Sequence, residues 1–369
     1  MSLCLPKESE LRDKQKEVLN FPVTDSYLVV GGPGTGKTVL AIYRAIRAIK
    51  ESSYKPVILL VYNNPLKEYI SSSLKQLKIY NIDVSTYHQW IFDIYREYQF
   101  GTVPKDGSEF NWNRVVPAIS RIGKKYFNII VDEAQDFPVP LIDLLKRVSE
   151  YRTFFIDPNQ AIEEGKTNVS DFTRNMFTPD KVIKLTKGFR ITKEISDFAS
   201  LFCTKDKPPV SLGHGRKPVA IKCASGNFES LNALMEGIIL RYPGKNIGII
   251  ANSRMVTKIY EYLQEKLPPE IPVLMHKPMT AHKISFSKKG VKIVSFGTMK
   301  GLEFDVVIIP LFDKINSHND DIIDYNRVYV AATRTLGELY LLYWNETTYP
   351  KKIDTMSKLL ANRKLLEWR

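Results

Sequence analysis

The segment YLVVGGPGTGKT, residues 27–38, decides the fold of this chain. Its first four residues are apolar and predict a buried strand, and an amphipathic pattern from Thr38 to Lys50 predicts a helix. The turn between them has the spacing G-x-x-x-x-G-K-[ST], in which backbone N–H groups and the helix N-terminus surround phosphate groups. A chance glycine turn is the alternative, and it does not account for the strand and the helix on either side.

A second segment, FNIIVDEAQD at residues 127–136, is an apolar strand that ends in two adjacent acids. One acid can hold Mg²⁺ while its neighbour activates water. Taken alone, the pair could equally well cap a helix. Behind a complete phosphate-binding turn, catalysis is favoured, because the carboxyl ends of parallel strands meet at one edge of a sheet. The prediction is that Lys37 reaches the β- and γ-phosphates, Thr38 and Asp132 hold Mg²⁺, and Glu133 polarises the attacking water.

The composition is that of a globular protein of two domains. The chain has 369 residues, of which 44% are hydrophobic and 25% charged. No apolar run approaches the roughly 20 residues that a membrane span needs. Cys4, Cys203 and Cys223 have no paired spacing, so we expect reduced thiols, no zinc site and a cytoplasmic location. We also expect a monomer without membrane association.

The charge is strongly basic, with 53 Lys and Arg residues against 40 Asp and Glu residues and a net charge of +13. This excess fits either a polyanionic partner or a solubilising surface. Its distribution favours the partner. Residues 271–302 contain six lysines and no acid, and the charges between Glu109 and Asp132 are all basic: Arg114, Arg121, Lys124 and Lys125. Such clusters fit a groove that follows phosphates.

Short apolar strands alternate with helical patterns, which predicts an α/β fold with parallel sheets. The polar segment Gln160–Asp180 is the best boundary candidate, so we predict domains at residues 1–178 and 179–369. Further strands are predicted at Val57–Tyr62, Thr153–Ile156, Val182–Leu185, Ile247–Ala251, Val291–Phe296 and Val306–Pro310.

Two arginines of the second domain, Arg190 and Arg334, are candidates for phosphoryl chemistry. An arginine supplied from another domain can stabilise charge on a transferring phosphoryl group. The alternative for each is an ordinary surface arginine.

Short motifs occur in a fixed order along the chain and carry a family resemblance. They are LRDKQ (residues 11–15), GGPGTGKT (31–38), VYNN (61–64), STYH (85–88), DEAQD (132–136), DPNQ (157–160), FR (189–190), TMKGLEF (298–304) and YVAATR (329–334). In this series the chain resembles the UvrD/Rep/PcrA branch of superfamily 1 helicases. The resemblance implies two tandem RecA-like P-loop NTPase domains with parallel sheets and a nucleotide cleft between them.

The resemblance also implies residue roles around ATP and Mg²⁺. Gln15 is expected to read adenine, Phe189 to stack on it, and Glu303 to reach the sugar. The phosphates are expected to contact the glycine-rich loop: Gly32, Pro33, Gly34, Thr35, Gly36, Lys37 and Thr38. Gln160 is expected to sense the γ-phosphate, and Arg190 and Arg334 to act in hydrolysis with Lys37 and Glu133. Single-stranded nucleic acid is expected at Tyr62, Asn64, His88 and Thr298.

The leading hypothesis is therefore an ATP-dependent translocase or helicase on single-stranded nucleic acid, DNA in preference to RNA, moving 3′→5′. The alternative is a nucleic-acid-responsive NTPase switch or recruitment module that controls a partner such as a nuclease. Two departures from the family motivate the alternative. There is little room for the family's large accessory insertions, and residues 161–165 lack the usual stacking aromatics. Tyr62 is the best remaining stacking candidate, while core packing is the favoured interpretation of Trp112. A small-molecule P-loop kinase is a distant third hypothesis.

Overall fold

A computed structural model describes residues 5–52, 55–160, 172, 177–203, 210–223, 228–276, 289–315, 322–344 and 355–369. The chain forms two compact units, Met1–Thr186 and Lys187–Arg369. The segment 161–165 lies outside the described residues. So do Lys277, Lys283 and Lys288, which are three of the six lysines between residues 271 and 302. The predicted domain boundary at residues 178 and 179 stays a prediction.

The first unit is built on a six-stranded parallel sheet. Its strands are β1 (Tyr27–Gly31), β2 (Val57–Val61), β3 (Asp83–Thr86), β6 (Tyr126–Val131), β7 (Ser149–Ile156) and β8 (Val182–Leu185). A separate antiparallel hairpin consists of β4 (Lys105–Asp106) and β5 (Glu109–Phe110). The helices are α1 (Asp13–Asn20), α2 (Lys37–Glu51), α3 (Asn64–Gln76), α4 (Tyr87–Glu97), α5 (Trp112–Ser120) and α6 (Val139–Val148). The strand order is β3-β2-β6-β7-β1-β8.

The central strands of this sheet are buried on both faces. All five residues of β1 and of β2 are buried. Because side chains alternate along a strand, Leu28 packs in one core cluster and Val29 in the other. Sheets covered on both faces are typical of parallel α/β architecture, as the sequence predicts. The loops that follow β1, β6 and β7 therefore meet at the carboxyl edge of the sheet.

The second unit contains a seven-stranded parallel sheet among its described residues. Its order is β13-β14-β12-β15-β16-β11-β17, with β11 (Val219–Lys222), β12 (Asn246–Ala251), β13 (Val273–His276), β14 (Gly290–Ser295), β15 (Phe304–Ile309), β16 (Thr335–Tyr343) and β17 (Glu367–Trp368). A parallel pair, β9 (Lys187–Thr192) and β10 (Val210–Gly213), stands apart from this sheet. The helices are α7 (Lys193–Ser200), α8 (Glu229–Arg241), α9 (Ser253–Lys266), α10 (Ile322–Ala332) and α11 (Thr355–Ala361).

The chain between β3 and β6 is a small insertion made of α4, the β4–β5 hairpin and α5. Side chains cap both of its helices, since Thr86 accepts a hydrogen bond from the Gln89 amide and Asn111 accepts one from the Arg114 amide. Within the described residues, no helix of either unit is long and apolar enough to cross a membrane.

Candidate functional site

The glycine-rich loop, residues 31–38, connects β1 to α2 at the carboxyl edge of the first sheet. Gly34 and Gly36 have φ of 72° and 87°, a region that residues with a Cβ rarely adopt. A Cβ at Gly36 would lie 2.4 Å from Nε2 of Gln15. The backbone conformation therefore favours glycine at this position, and a Cβ would also displace the amide end of Gln15.

Gln15 braces the glycine-rich loop from α1. Its Nε2 donates to the carbonyl oxygen of Thr35 at 2.9 Å, and its Oε1 accepts from the amide of Arg12 at 2.9 Å. The side chain is buried. The structure thus places Gln15 beside the loop, while its reading of adenine stays a prediction.

Lys37 is the first residue of α2, and its ammonium group folds back over the glycine-rich loop. Nζ donates to the carbonyl oxygens of Gly31 at 2.8 Å and Gly32 at 3.1 Å. It also lies 3.9 Å from Oδ2 of Asp157, which follows β7. Because both side chains are buried, the positive charge is held at the loop by groups from two adjacent strand ends.

Thr38 and Asp132 are joined by a short hydrogen bond, although 94 positions separate them in the sequence. Oγ1 of Thr38 donates to Oδ2 of Asp132 at 2.6 Å, and the amide of Glu133 donates to Oδ1 at 3.1 Å. Burial, with a further contribution from the charge of Glu133, raises the pKa of Asp132 to about 7. Two oxygen-bearing side chains with a neighbouring carboxylate suit a hard divalent cation.

Glu133 has φ of 55°, which is unusual for a residue other than glycine. Its Oε2 accepts a hydrogen bond from Nε2 of Gln135 at 2.6 Å. Oε1 of Gln135 accepts in turn from the amide of Asp157 at 3.0 Å. Gln135 therefore connects the acid after β6 to the end of β7, a role that the sequence analysis did not assign.

Asp157 is the second residue that the sequence analysis did not place in the site. Its Oδ1 accepts from the amide of Asn159 at 3.0 Å, and its Oδ2 accepts from Nε2 of Gln160 at 2.8 Å. Oε1 of Gln160 is buried and has no hydrogen-bond partner among the described residues. The available signal in the sequence was that Asp157 directly follows an apolar strand, as Asp132 does, and opens the motif at residues 157–160.

The candidate nucleic-acid residues of the first unit follow β2 and β3, at the same edge as the acids. Tyr62 is partly buried against the core, whereas Asn64 and His88 are exposed. Tyr87 and Trp90, each 2% exposed, belong to the core. The indole nitrogen of Trp90 donates to the hydroxyl of Tyr126 at 2.9 Å, so its polar group has a partner within the core.

Three of the remaining predicted residues lie at two edges of the seven-stranded sheet of the second unit. Thr298 follows β14 at the carboxyl edge, and its hydroxyl accepts from the amide of Ser295 at 3.1 Å. Glu303 directly precedes β15, and Arg334 directly precedes β16. Because the first residues of these strands, Phe304 and Thr335, pair with each other, Glu303 and Arg334 lie together at the amino edge of the sheet.

The guanidinium of Arg334 is buried in the described structure and contacts its own helix end. Nε donates to the carbonyl oxygen of Val330 at 3.1 Å, and the group also contacts the hydroxyl of Thr333 at 3.4 Å. Phe189 and Arg190 belong to β9, and their side chains lie outside the described part of the structure.

A divalent cation at this site would rely on few protein ligands. Among the described residues, no group of three or more His, Cys, Asp and Glu side chains could hold a metal ion. Mg²⁺ commonly takes one or two protein oxygens and completes its shell with water and phosphate oxygens. Thr38 and Asp132, whose oxygens meet at 2.6 Å, fit that pattern.

A parallel sheet that presents a glycine-rich loop, a buried lysine and paired acids at one edge is the framework of a phosphate-binding site. Comparison with known proteins gives the particular family. Residues 24–267 match the Schlafen group 3, DNA/RNA helicase domain, so the chain belongs to that family.

Two individual proteins are also similar to this chain. F-box DNA helicase protein 1 of Schizosaccharomyces pombe is 25% identical over 171 residues, which are 46% of this chain and 19% of the relative. The chain thus spans about a fifth of that protein. A solved structure is also similar, that of the C-terminal domain of a possible DNA helicase from Lactobacillus plantarum WCFS1, with 18% sequence identity and a TM-score of 0.35. The similarity covers 49% of this chain and 98% of the solved chain.

Proposed function

We propose that this protein is an ATP-dependent translocase of the UvrD-like branch of superfamily 1, with two RecA-like domains. It would hydrolyse ATP with Mg²⁺ and move 3′→5′ along single-stranded nucleic acid, DNA in preference to RNA. The membership in a DNA/RNA helicase domain family supports the general class. The branch, the polarity and the choice of DNA rest on the resemblance of the motif series.

The observation that carries the proposal is the hydrogen bond of 2.6 Å between Thr38 and Asp132. It brings together the end of the glycine-rich loop and the first of the paired acids, which are distant in the sequence. Lys37 adds a buried positive charge beside them. A loop for phosphates, a cation for their charge and an acid pair for the metal and water are the parts that phosphoryl transfer requires.

The residues divide the work according to their positions. Backbone N–H groups of the glycine-rich loop would bind the phosphates, and Lys37 would exchange its bonds to Gly31 and Gly32 for phosphate oxygens. Glu133, held by Gln135 at 2.6 Å, would orient the attacking water and accept its proton. Mg²⁺, held by Thr38 and Asp132, would neutralise charge that develops on the phosphate oxygens.

Gln160 of the first unit would report the γ-phosphate through its unused Oε1. Residues of the second unit would add to the same reaction, with Phe189 contacting adenine and Glu303 contacting the sugar. Arg190 and Arg334 would stabilise the transferring phosphoryl group. For Arg334, this role requires the guanidinium to exchange its present bond to Val330.

Nucleic acid would be bound by Tyr62, Asn64 and His88 of the first unit and by Thr298 of the second. The exposure of Asn64 and His88 supports this assignment, as does the net charge of +13. Tyr62 presents part of an aromatic ring on which a base could stack.

The test is the rate of ATP hydrolysis with and without single-stranded DNA and RNA, followed by strand displacement on 3′- and 5′-overhang duplexes. We expect stimulation by single strands and unwinding from the 3′ overhang. A hydrolysis rate that neither polymer changes would overturn the proposal. The matched variant Glu133→Gln should bind ATP but show no stimulation.

The second candidate function is a nucleic-acid-responsive switch that recruits a partner such as a nuclease. It is favoured by the small size of the insertion between β3 and β6, which contains α4, the β4–β5 hairpin and α5. A switch would show stimulated hydrolysis without strand displacement. Robust unwinding by the isolated chain would exclude it.

A further inference from the structure

The small insertion of the first unit presents a cluster of aromatic rings around one lysine, which we name the aromatic platform. It consists of His88, Phe92, Lys105, Phe110 and Trp112. The ring of Phe110 lies 5.5 Å from His88, 5.8 Å from Phe92 and 5.6 Å from Trp112, measured between centroids. Phe110 is buried at the centre, while His88 is exposed and Phe92 is 37% exposed. The platform therefore has a buried base and an aromatic outer surface.

The hairpin places a positive charge on this surface. Lys105 pairs with Phe110, and Asp106 pairs with Glu109, across β4 and β5. Because successive residues of a strand point to opposite faces, Lys105 shares the face of Phe110 and the two acids occupy the other. Nζ of Lys105 lies 5.1 Å from the ring centre of Phe92. The aromatic side of the hairpin thus carries the cation, and the acids point away from it.

The platform is continuous with the candidate nucleic-acid surface. His88 belongs to both, and it stands one residue after Tyr87, whose ring contacts Phe110 at 6.4 Å and Phe137 at 5.2 Å. Phe137 directly follows the motif that contains the paired acids. Phe92 is one helical turn after His88, so both residues lie on the same side of α4.

We propose that the aromatic platform is a binding subsite for single-stranded nucleic acid, with Phe92 stacking on a base and Lys105 contacting a neighbouring phosphate. This inference rests on the proposed function and extends it to residues outside the motif series. Aromatic faces accept any base, and a cation beside them neutralises the backbone. The platform would supply stacking in a chain whose residues 161–165 contain no aromatic side chain.

The experiment compares two labelled strands of equal length by fluorescence anisotropy, one carrying bases and one base-free. Phe92→Ala should weaken binding of the base-bearing strand about fivefold or more, because one stacking contact is lost. Binding of the base-free strand should stay within about twofold, since no base is present to stack. Phe92→Leu keeps the packing against Phe110 without an aromatic face and should behave like the alanine variant. An RNA strand should respond as the DNA strand does.

Matched controls come from the opposite edge of the same sheet. Tyr80, 76% exposed, precedes β3 and serves as the aromatic control, so Tyr80→Ala should leave binding unchanged. Lys50 is exposed near the end of α2, which leads to the start of β2, and serves as the charge control. Lys105→Ala should weaken binding of both strands and lower the salt slope by about 0.7, whereas Lys50→Ala should not.

The outcomes separate this inference from the proposed function. Wild-type protein that binds neither strand would overturn both. If the wild-type protein binds the strands and neither Phe92→Leu nor Tyr80→Ala weakens that binding, the aromatic platform is overturned while the proposed function stands. Equal losses on the base-bearing and base-free strands would also overturn the stacking role, because the contact would then not involve a base.

Discussion

Replacing Gln135 tests whether a residue outside the predicted site positions the catalytic acid. Gln135 donates to Glu133 at 2.6 Å and accepts from the Asp157 amide at 3.0 Å. Gln135→Met keeps most of the volume but removes both hydrogen bonds. A bond to a charged group contributes about 1.5–3 kcal/mol, and loss of the acceptor for a buried amide costs about 1–3 kcal/mol. We therefore expect the free energy of unfolding of the first unit to fall by about 3 kcal/mol.

The effect on turnover follows from the same contact. If loosening the carboxylate of Glu133 raises the activation barrier by about 2 kcal/mol, turnover falls roughly 30-fold. Affinity for ATP should change little, because Gln135 is bonded to the acid and to β7 rather than to the glycine-rich loop. Denaturant unfolding, nucleotide titration and steady-state hydrolysis measure the three quantities separately.

A double-mutant cycle distinguishes a positioning role from a general structural one. If Gln135 acts through Glu133, Gln135→Met should have almost no further effect on turnover in a Glu133→Gln background. The reasoning is refuted if the single variant turns over within about twofold of wild type. It is equally refuted if the double variant shows the effects of both substitutions added together in the activation free energy, because Gln135 would then act independently of Glu133.

Three other substitutions test the site and the second sheet. The Glu133→Gln variant should bind ATP normally, because the side chain keeps its shape, and its turnover should fall by roughly 10²- to 10⁴-fold, because the general base is lost. Hydrolysis near the wild-type rate would contradict the assignment of Glu133 as that base. Lys37→Ala should weaken ATP binding itself, which a nucleotide titration would detect as a raised dissociation constant. Burial lowers the pKa of Lys292 from 10.5 to about 8. Below pH 8 the buried ammonium group therefore destabilises the folded state by the full amount, and this destabilisation decreases as the pH rises from 8 to 10.5. Lys292→Met should therefore raise the free energy of unfolding by about 1–2 kcal/mol near pH 7, a value reduced for the lost hydrogen bond from Nζ to Asn246, and the gain should shrink above pH 8.

Much of the fold was predictable because its signals are local. A buried parallel strand is a short apolar run, and the structure has strands at each of the predicted positions. Most bounds differ by a residue or so, whereas β7 begins four residues before its predicted start, at Ser149. Several strands were not predicted, among them β3, β11, β13 and β16. In β16, Gly337 and Glu338 interrupt the pattern before the apolar run 339–344. In the structure, the carboxylate of Glu338 is satisfied by Arg216 at 2.9 Å and by the hydroxyl of Tyr242. A buried acid is compatible with a strand only when such distant partners exist.

The candidate site shows the same division. The glycine-rich loop and the paired acids could be read from the sequence, because each motif is contiguous and its chemistry follows from spacing. Gln135 and Asp157 belong to two of the quoted motifs, but their roles could not be assigned, because those roles arise from a hydrogen bond between the ends of two neighbouring strands. Trp112 was assigned to core packing, and only the contacts of the β4–β5 hairpin revealed its place in the aromatic platform.

By itself, the sequence determined the class of fold, the phosphate-binding loop at residues 31–38 and the acids Asp132 and Glu133. The tertiary structure decided which strand lies beside which, and therefore that Thr38 meets Asp132. It also decided that Lys105 and the aromatic rings share one face of a hairpin. The physical reason is that backbone preference and hydrophobic periodicity act over a few residues, whereas strand order and side-chain pairing depend on the packing of the whole sheet.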